Sequence, residues 1–97
     1  MFFYVIFVLA FLRNSPSYGY EIIASLSPII KISESTLYPI LRRLCAQGQL
    51  DTYHVETNGR VRKYFKITEI GSARIDEFKQ DLENINQVFS YILRINK

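Results

Sequence analysis

The sequence predicts an α+β domain that is mainly helical and carries one β-hairpin. Two β-prone segments, residues 50–57 and 60–68, flank Asn58-Gly59, which is the strongest short-range signal for a two-residue hairpin turn. On both sides of the hairpin, apolar residues recur at helical spacing. The chain of 97 residues contains four Gly and three Pro, so we expect one structural unit without linkers or low-complexity segments.

The first helix is predicted from an almost entirely apolar opening, residues 2–12. This run is too long for an ordinary strand, and it stops at Arg13-Asn14, well short of the roughly 20 apolar residues that span a bilayer. No basic residue precedes it and no small-residue cleavage pattern follows it, so it does not read as a secretion signal. We expect a cytoplasmic protein without a membrane role, whose first helix is buried between the core and, in an oligomer, a second subunit.

A short second helix is predicted next. Residues 14–17 interrupt the first helix, because Asn, Ser and Pro break helical periodicity. From there, Tyr18, Ile22 and Leu26 lie on one helical face, and we expect the helix to end near Pro28.

The third helix has two candidate starting points. Ser33, followed by an acidic residue, is a favourable capping residue, but it leaves Pro39 beyond the first turn, where proline tends to kink a helix. Thr36 is the alternative cap and brings Pro39 into the tolerant first turn. Gly48 is expected to end the helix. The apolar positions are Leu37, Ile40, Leu41 and Leu44.

The hairpin register follows from the length of its turn. With two residues in the turn, Thr57 faces Arg60, and side chains alternate between the two faces of the hairpin. One face then carries Leu50, Phe65 and Ile67, and the other carries Arg60, Arg62, Tyr64 and Lys66. We expect a hairpin with one solvated basic face.

From Glu69 onward, apolar residues recur at alternating intervals of three and four, which is a heptad pattern. A helix of roughly 26 residues at about 1.5 Å per residue is about 40 Å long, more than so small a domain covers. We therefore expect a homodimer contact that also includes Phe3 and Ile6; packing against the chain's own first helix is the alternative, and both faces can be used. The seam comprises Ile75, Phe78, Leu82, Ile85, Phe89 and Ile92.

The basic residues cluster on the third helix and the hairpin. The net charge is only +3, but the segment 42–66 carries Arg42, Arg43, Arg60, Arg62, Lys63 and Lys66, opposed by Asp51 and Glu56. Three helices followed by a hairpin, with cations on the third helix and the hairpin tip, are typical of a winged helix-turn-helix. We expect the partner to be double-stranded DNA, with phosphate contacts from these cations and shorter contacts from Ser35, Thr36 and Tyr38.

Two other classes of function are weighed against this interpretation. Cys45 and His54 are each the only residue of their kind, so the chain offers neither a disulfide, nor a metal site of ordinary ligand count, nor an acid and base pair for catalysis. We expect no enzyme activity, metal or cofactor. A protein-interaction module that uses the same fold without binding DNA is the main alternative, because a fold does not determine a function.

Three stretches resemble the PadR family of transcriptional regulators. They are YGYEI at 18–22, SESTLYPILRRL at 33–44 and RKYFKITEIG at 62–71, and the resemblance covers roughly residues 4–95. Ser35 departs from the family pattern, which often has glycine there. The resemblance implies a DNA-facing set that contains Tyr20, Ser35, Thr36, Tyr38, Arg42, Lys63 and Tyr64.

The same resemblance implies how the chain works. It divides the chain into a DNA-binding winged helix, 1–68, and a dimerisation helix, 69–97, as in the short branch of the family. We expect a repressor whose dimer binds a near-palindromic operator through two third helices about 34 Å apart. A small, flat aromatic compound is the candidate effector, bound between the C-terminal helices. This chain has no Trp for that purpose, which leaves Phe78, Phe89 and Tyr91 as candidate lining residues; the alternative is that they belong to the core, as aromatic residues at helical spacing more often do.

Overall fold

The computed structural model describes the backbone of residues 2–95 and the side chains of residues 3–95. Within these residues, four helices enclose a core beside a three-stranded antiparallel sheet, which confirms the predicted α+β class. The last two residues of the predicted segment 69–97 lie outside the described part. In chain order the elements are α1 Phe2–Asn14, β1 Ser17–Tyr18, α2 Gly19–Leu26, α3 Glu34–Ala46, β2 Leu50–Thr57, β3 Arg60–Ile67 and α4 Glu69–Ile95.

The core is formed where α1, α2 and α3 meet the base of the hairpin and the start of α4. Its side chains come from the predicted apolar positions, and most of them are almost completely removed from solvent. Burying a Leu or Ile side chain stabilises the fold by about 1.5–3 kcal/mol. The largest contributors are Leu9 and Leu12 of α1, Ile22 of α2, Leu37, Ile40, Leu41 and Leu44 of α3, and Leu50 of β2.

The apolar helix α1 buries only one of its faces within the described chain. Val8 and Leu9 are fully buried, whereas Phe3 is 69% exposed and Phe7 also faces solvent. Ile6 is half-buried. The sequence predicted a helix enclosed on all sides, and in one copy of the chain its outer face remains open.

The start of α3 decides between the two predicted caps. The helix begins at Glu34, and the Ser33 carbonyl accepts a hydrogen bond from the Leu37 amide at 2.9 Å, so the Thr36 alternative is wrong. Pro39 therefore lies inside the helix, one turn beyond its start. The helix ends as predicted before Gly48, whose amide donates to the Cys45 carbonyl while the Gln49 amide donates to the Leu44 carbonyl.

The hairpin has the predicted register, because Thr57 pairs with Arg60 and Leu50 pairs with Ile67. Asn58 and Gly59 both adopt positive φ, 53° and 75°, as a two-residue turn requires. The short strand β1 was not predicted: Ser17 pairs with Phe65 and Tyr18 with Tyr64, so β3 is the central strand. The second helix accordingly begins one residue later than predicted, at Gly19.

The helix α4 starts inside the core and then leaves it. The Thr68 hydroxyl accepts a hydrogen bond from the Gly71 amide at 3.2 Å and donates to the Gly48 carbonyl at 2.6 Å, which attaches this helix start to the end of α3. Arg13 of α1 forms an ion pair with Asp76 at 3.0 Å. Beyond Phe78 every described residue of α4 is exposed, and the molecule measures 63 Å in its longest dimension. Among residues 2–95, no helix combines the length and apolar character needed to cross a bilayer.

We expect Gly59→Ala to lower the free energy of unfolding by about 1–2 kcal/mol, because an alanine Cβ disfavours positive φ. Asn58→Gly is the control: it changes the other turn residue but removes a Cβ from positive φ, so we expect a change of at most about 0.5–1 kcal/mol. Urea denaturation measures both variants. Unchanged stability of Gly59→Ala would contradict the turn geometry.

Candidate functional site

The two faces of α3 have opposite characters, and this sets the position of the site. Its inner face is fully buried through Leu37, Ile40, Leu41 and Leu44. The residues between these positions, including Tyr38, Arg42 and Arg43, are exposed on the outer face. Because the buried face fixes how the helix is rotated, the arginines point away from the core.

A groove of about 900 Å³ lies between the outer face of α3 and the hairpin, and we call it the basic groove. It combines four cations with aromatic and apolar side chains. Six of the ten predicted DNA-binding residues line it, and Arg43, Ser35, Thr36 and Tyr64 do not. Its lining residues are Tyr18, Gly19, Tyr20, Tyr38, Leu41, Arg42, Cys45, Thr52, Arg60, Val61, Arg62, Lys63 and Phe65.

The shortness of β1 is what opens β3 toward this groove. Strand β1 pairs only with Tyr64 and Phe65, so the four preceding residues of β3, 60–63, have no strand partner on that side. All four of them line the basic groove. Alternation along the strand places Lys63 on the same face as Phe65, and its ammonium group lies 5.6 Å from the centre of that ring.

Gly19 allows Tyr38 to pack against the start of α2. A Cβ atom at position 19 would lie 2.8 Å from Cζ of the Tyr38 ring, closer than carbon atoms normally approach. A side chain at position 19 would have to move this ring, so Gly19 allows Tyr38 to occupy its observed position in the groove. Beside it, the buried Ser17 hydroxyl donates a hydrogen bond to the Glu21 carboxylate, which stabilises the junction of β1 and α2. Sequence reasoning did not identify Gly19, although it lies inside the YGYEI stretch.

The polar residues at the start of α3 lie outside the basic groove. The Ser33 hydroxyl contacts the Ser35 hydroxyl at 3.0 Å and donates to the Thr36 hydroxyl at 3.2 Å, and it makes no capping bond to a backbone amide. Ser35 is exposed and Thr36 is half-buried. These hydroxyls form a small polar surface at the N-terminus of the helix, where the partial positive charge of the helix dipole is concentrated.

Tyr64 belongs to a row of three tyrosines on the face of the sheet that points away from the core, and we call this row the tyrosine ladder. Its ring centre lies 5.4 Å from that of Tyr18 and 5.5 Å from that of Tyr53. The Arg62 guanidinium lies 4.3 Å from the centre of the Tyr18 ring. Tyr18 therefore contacts Tyr64 within the ladder and Arg62 beside it, and both Tyr18 and Arg62 also line the basic groove.

The electrostatic character of the basic groove is strongly positive. Among the described residues, Arg42, Arg60, Arg62 and Lys63 form no ion pair with a carboxylate, so their charges are not neutralised within the chain. Burial raises the pKa of the Cys45 thiol at the floor of the groove, although the charge of Lys63 opposes this shift. Cys45 is therefore a protonated thiol at neutral pH. The described part of the chain contains no group of three or more His, Cys, Asp or Glu side chains that could hold a metal ion.

The second candidate surface is the apolar face of α4, and we call it the α4 stripe, made of Leu82, Ile85, Phe89 and Ile92. Its four side chains are all exposed, and Phe89 is 61% exposed. A shallow recess of about 270 Å³ lies beside Ile85, Val88 and Phe89. The two earlier positions of the predicted seam differ, because Ile75 is buried in the core and Phe78 is half-buried.

Comparison with known proteins assigns the chain to a family. Residues 8–77, which include α2, α3, the sheet and the start of α4, match the model of the transcriptional regulator PadR-like family. This chain belongs to the PadR-like family. It is therefore a transcriptional regulator, which confirms both the resemblance seen in the sequence and the expectation of a protein that is not an enzyme.

Individual PadR-like relatives agree with this assignment. A PadR family transcriptional regulator from Eggerthella lenta is 33% identical with a TM-score of 0.79, and the match covers 92% of this chain and 80% of that one. The transcriptional regulator Rv3488 of Mycobacterium tuberculosis is 36% identical over 55 residues, 57% of this chain and 51% of the relative. PadR of Bacillus subtilis, solved in complex with operator DNA, is 20% identical with a TM-score of 0.72, covering 80% of this chain and 46% of that one.

We expect Gly19→Ala to lower the free energy of unfolding by about 1–3 kcal/mol, because the new methyl group must displace the Tyr38 ring. In an exposed first turn the same change would be stabilising by helix propensity, so the sign of the effect is informative. Tyr38→Ala supplies the matched background: with the ring removed, Gly19→Ala should cost little. Urea denaturation of the two single variants and the double variant measures this coupling, and equal costs in both backgrounds would contradict the contact.

Proposed function

We propose that this PadR-like regulator binds double-stranded DNA as a homodimer and represses transcription from a near-palindromic operator. The observation that carries the proposal is the basic groove, in which α3 and the hairpin present four cations without intramolecular carboxylate partners. A surface of this charge favours a polyanion, because neutralising phosphates releases condensed counterions.

The outer face of α3 suits the major groove of a duplex, which is about 12 Å wide and admits one helix. Arg42 would contact phosphate or guanine edges, and the hairpin would lie over the neighbouring backbone. The operator complex of the B. subtilis protein, which shares this fold, supports a duplex as the ligand. The proposed DNA-binding residues are Tyr20, Ser35, Thr36, Tyr38, Arg42, Arg43, Arg60, Arg62, Lys63 and Tyr64.

The dimer is proposed on the exposure of the α4 stripe together with Phe3 on α1. Apolar side chains in a heptad pattern on a helix of 27 residues are expected to pair with a second copy. In this arrangement residues 1–68 bind DNA and residues 69–97 hold two copies together. Two α3 helices would then reach successive major grooves, about 34 Å apart.

A small, flat aromatic effector is proposed to bind between two α4 helices. The recess beside Ile85, Val88 and Phe89 has a volume of about 270 Å³ in one chain, slightly below the roughly 300–1,000 Å³ of ordinary ligand sites. A second copy facing it would enlarge and enclose the site. Binding there would change the angle between the helices and hence the spacing of the two α3 helices.

We expect replacement of both Arg42 and Lys63 by alanine to weaken duplex binding at least about ten-fold at 0.1 M salt. The slope of log affinity against log salt should become less steep by about 3.6, because two phosphate contacts are lost in each protomer of the proposed dimer. Fluorescence anisotropy with a labelled duplex from the protein's own upstream region measures both quantities.

Lys79→Ala is the matched control, because Lys79 is an exposed cation on α4 away from the basic groove. It should leave affinity and salt slope unchanged. Unaltered DNA affinity of the Arg42 and Lys63 double variant would contradict the proposed site. Wild-type affinity that responds weakly to salt would favour the alternative, a protein-interaction module.

We expect Phe89→Glu to convert the dimer to a monomer at micromolar concentration, raising the dimer dissociation constant on the order of 100-fold, because a carboxylate would be buried without a partner. Gln87→Glu introduces the same charge outside the α4 stripe and should leave the dimer intact. Sedimentation equilibrium measures the association state. A wild-type chain that is monomeric, or a Phe89→Glu variant that remains dimeric, would contradict the proposed interface.

A further inference from the structure

The tyrosine ladder joins all three strands of the sheet on one face. Strand pairing places Tyr18 of β1 and Tyr53 of β2 opposite Tyr64 of β3, and their rings are in contact. Tyr18 and Tyr64 are half-buried within this row. The Tyr18 ring is therefore positioned by its contact with the Tyr64 ring and by the pairing of β1 with β3.

Arg62 is the cation that stacks on the Tyr18 ring. It precedes Tyr64 by two residues on β3, so both side chains are on the same face, and its guanidinium lies 4.3 Å from the centre of the Tyr18 ring. An arginine on an exposed hairpin would otherwise sample many rotamers. Stacking on a fixed ring restricts the side chain while its N–H donors remain available at the edge of the guanidinium plane.

Arg62 forms no ion pair with a carboxylate among residues 2–95. Glu21 and Arg62 both line another recess, on the face of the sheet that carries the tyrosine ladder, but the Glu21 carboxylate accepts the hydrogen bond from the Ser17 hydroxyl. Arg62 also lines the basic groove on its other side, between Arg60 and Lys63. It is therefore a restrained, unpaired cation on the border of the proposed DNA-binding surface.

We propose that Tyr18 is a positioning residue that holds Arg62 in the conformation in which it contacts a DNA phosphate. The inference rests on the proposed DNA binding and assigns to Tyr18, which also lines the basic groove, a role that it performs through Arg62. Because the arginine is ordered before binding, less conformational entropy is lost when the phosphate contact forms. Tyr18 therefore affects the affinity for DNA and not the number of phosphates that the protein neutralises.

The test is a double-mutant cycle in duplex affinity, measured by fluorescence anisotropy across a salt series with the full chain. Arg62→Ala should reduce affinity and make the salt slope less steep by about 1.8, the value for one phosphate contact in each of the two protomers. Tyr18→Leu should weaken binding about five-fold without changing the slope, because the charge is still present. Tyr18→Phe retains the ring and should bind as the wild type does. In the Arg62→Ala background, Tyr18→Leu should have no further effect.

A second variant keeps the test valid where Tyr18→Leu disturbs the sheet. Arg62→Lys keeps the charge, does not alter the tyrosine ladder and removes the planar stacking group, so it should weaken binding about five-fold with an unchanged slope. The inference is overturned when Arg62→Lys binds as the wild type does, or when Tyr18→Leu is equally costly with and without Arg62. In either case the Arg42 and Lys63 variants still report on DNA binding itself. If the wild-type protein shows no salt-dependent binding to the duplex, both proposals are overturned.

Discussion

Burial of one face of α3 is the interaction on which the rest of the molecule depends. Leu37, Ile40, Leu41 and Leu44 are almost entirely removed from solvent, and replacing one such side chain by alanine typically costs about 2–5 kcal/mol. This face fixes the rotation of the helix, and the rotation directs Arg42 toward the hairpin. The same packing places Pro39 inside the helix, where it is tolerated although proline alone would end one. A structural requirement of the core therefore creates the cationic outer surface.

The hairpin contributes to the cationic surface because β1 pairs with only two residues of β3. A longer β1 would pair with residues 60–63 and occupy the edge that now borders the basic groove. Two residues of β1 are enough to anchor the tyrosine ladder and to direct the chain into α2. Gly19, the first residue of α2, then provides the space in which Tyr38 packs. The YGYEI stretch thus joins the sheet, α2 and α3 at one point.

Much of the fold could be predicted because its signals are local. Asn58-Gly59 specified the turn, and the turn specified the pairing of the two long strands. The spacing of apolar residues located α3 and α4. Strand β1 could not be found in this way, since Ser17 and Tyr18 become a strand only through pairing with Tyr64 and Phe65, far along the chain.

The candidate site was predictable in its charges but not in its contacts. Clustering of Arg and Lys along the sequence identified Arg42, Arg60 and Lys63, all of which line the basic groove. Gly19 leaves space for the Tyr38 ring, and the proposed role of Tyr18 depends on the Arg62 guanidinium. Both partners come from other elements, and no local pattern encodes such contacts. The sequence also predicted that α1 and α4 carry more apolar surface than one chain can bury. The exposed side chains of Phe3 and Phe89 show where that surface lies.

Hydroxyl-radical footprinting on the protein's own upstream region tests the central claim most directly, because it reports where both copies of α3 and the hairpin contact the duplex. Two α3 helices in a two-fold dimer should protect two backbone segments one helical turn apart, about 10 base pairs from centre to centre. Protection of a single segment would contradict the dimeric arrangement. Absence of protection, at protein concentrations where the chain is folded and in low salt, would contradict DNA binding through the basic groove.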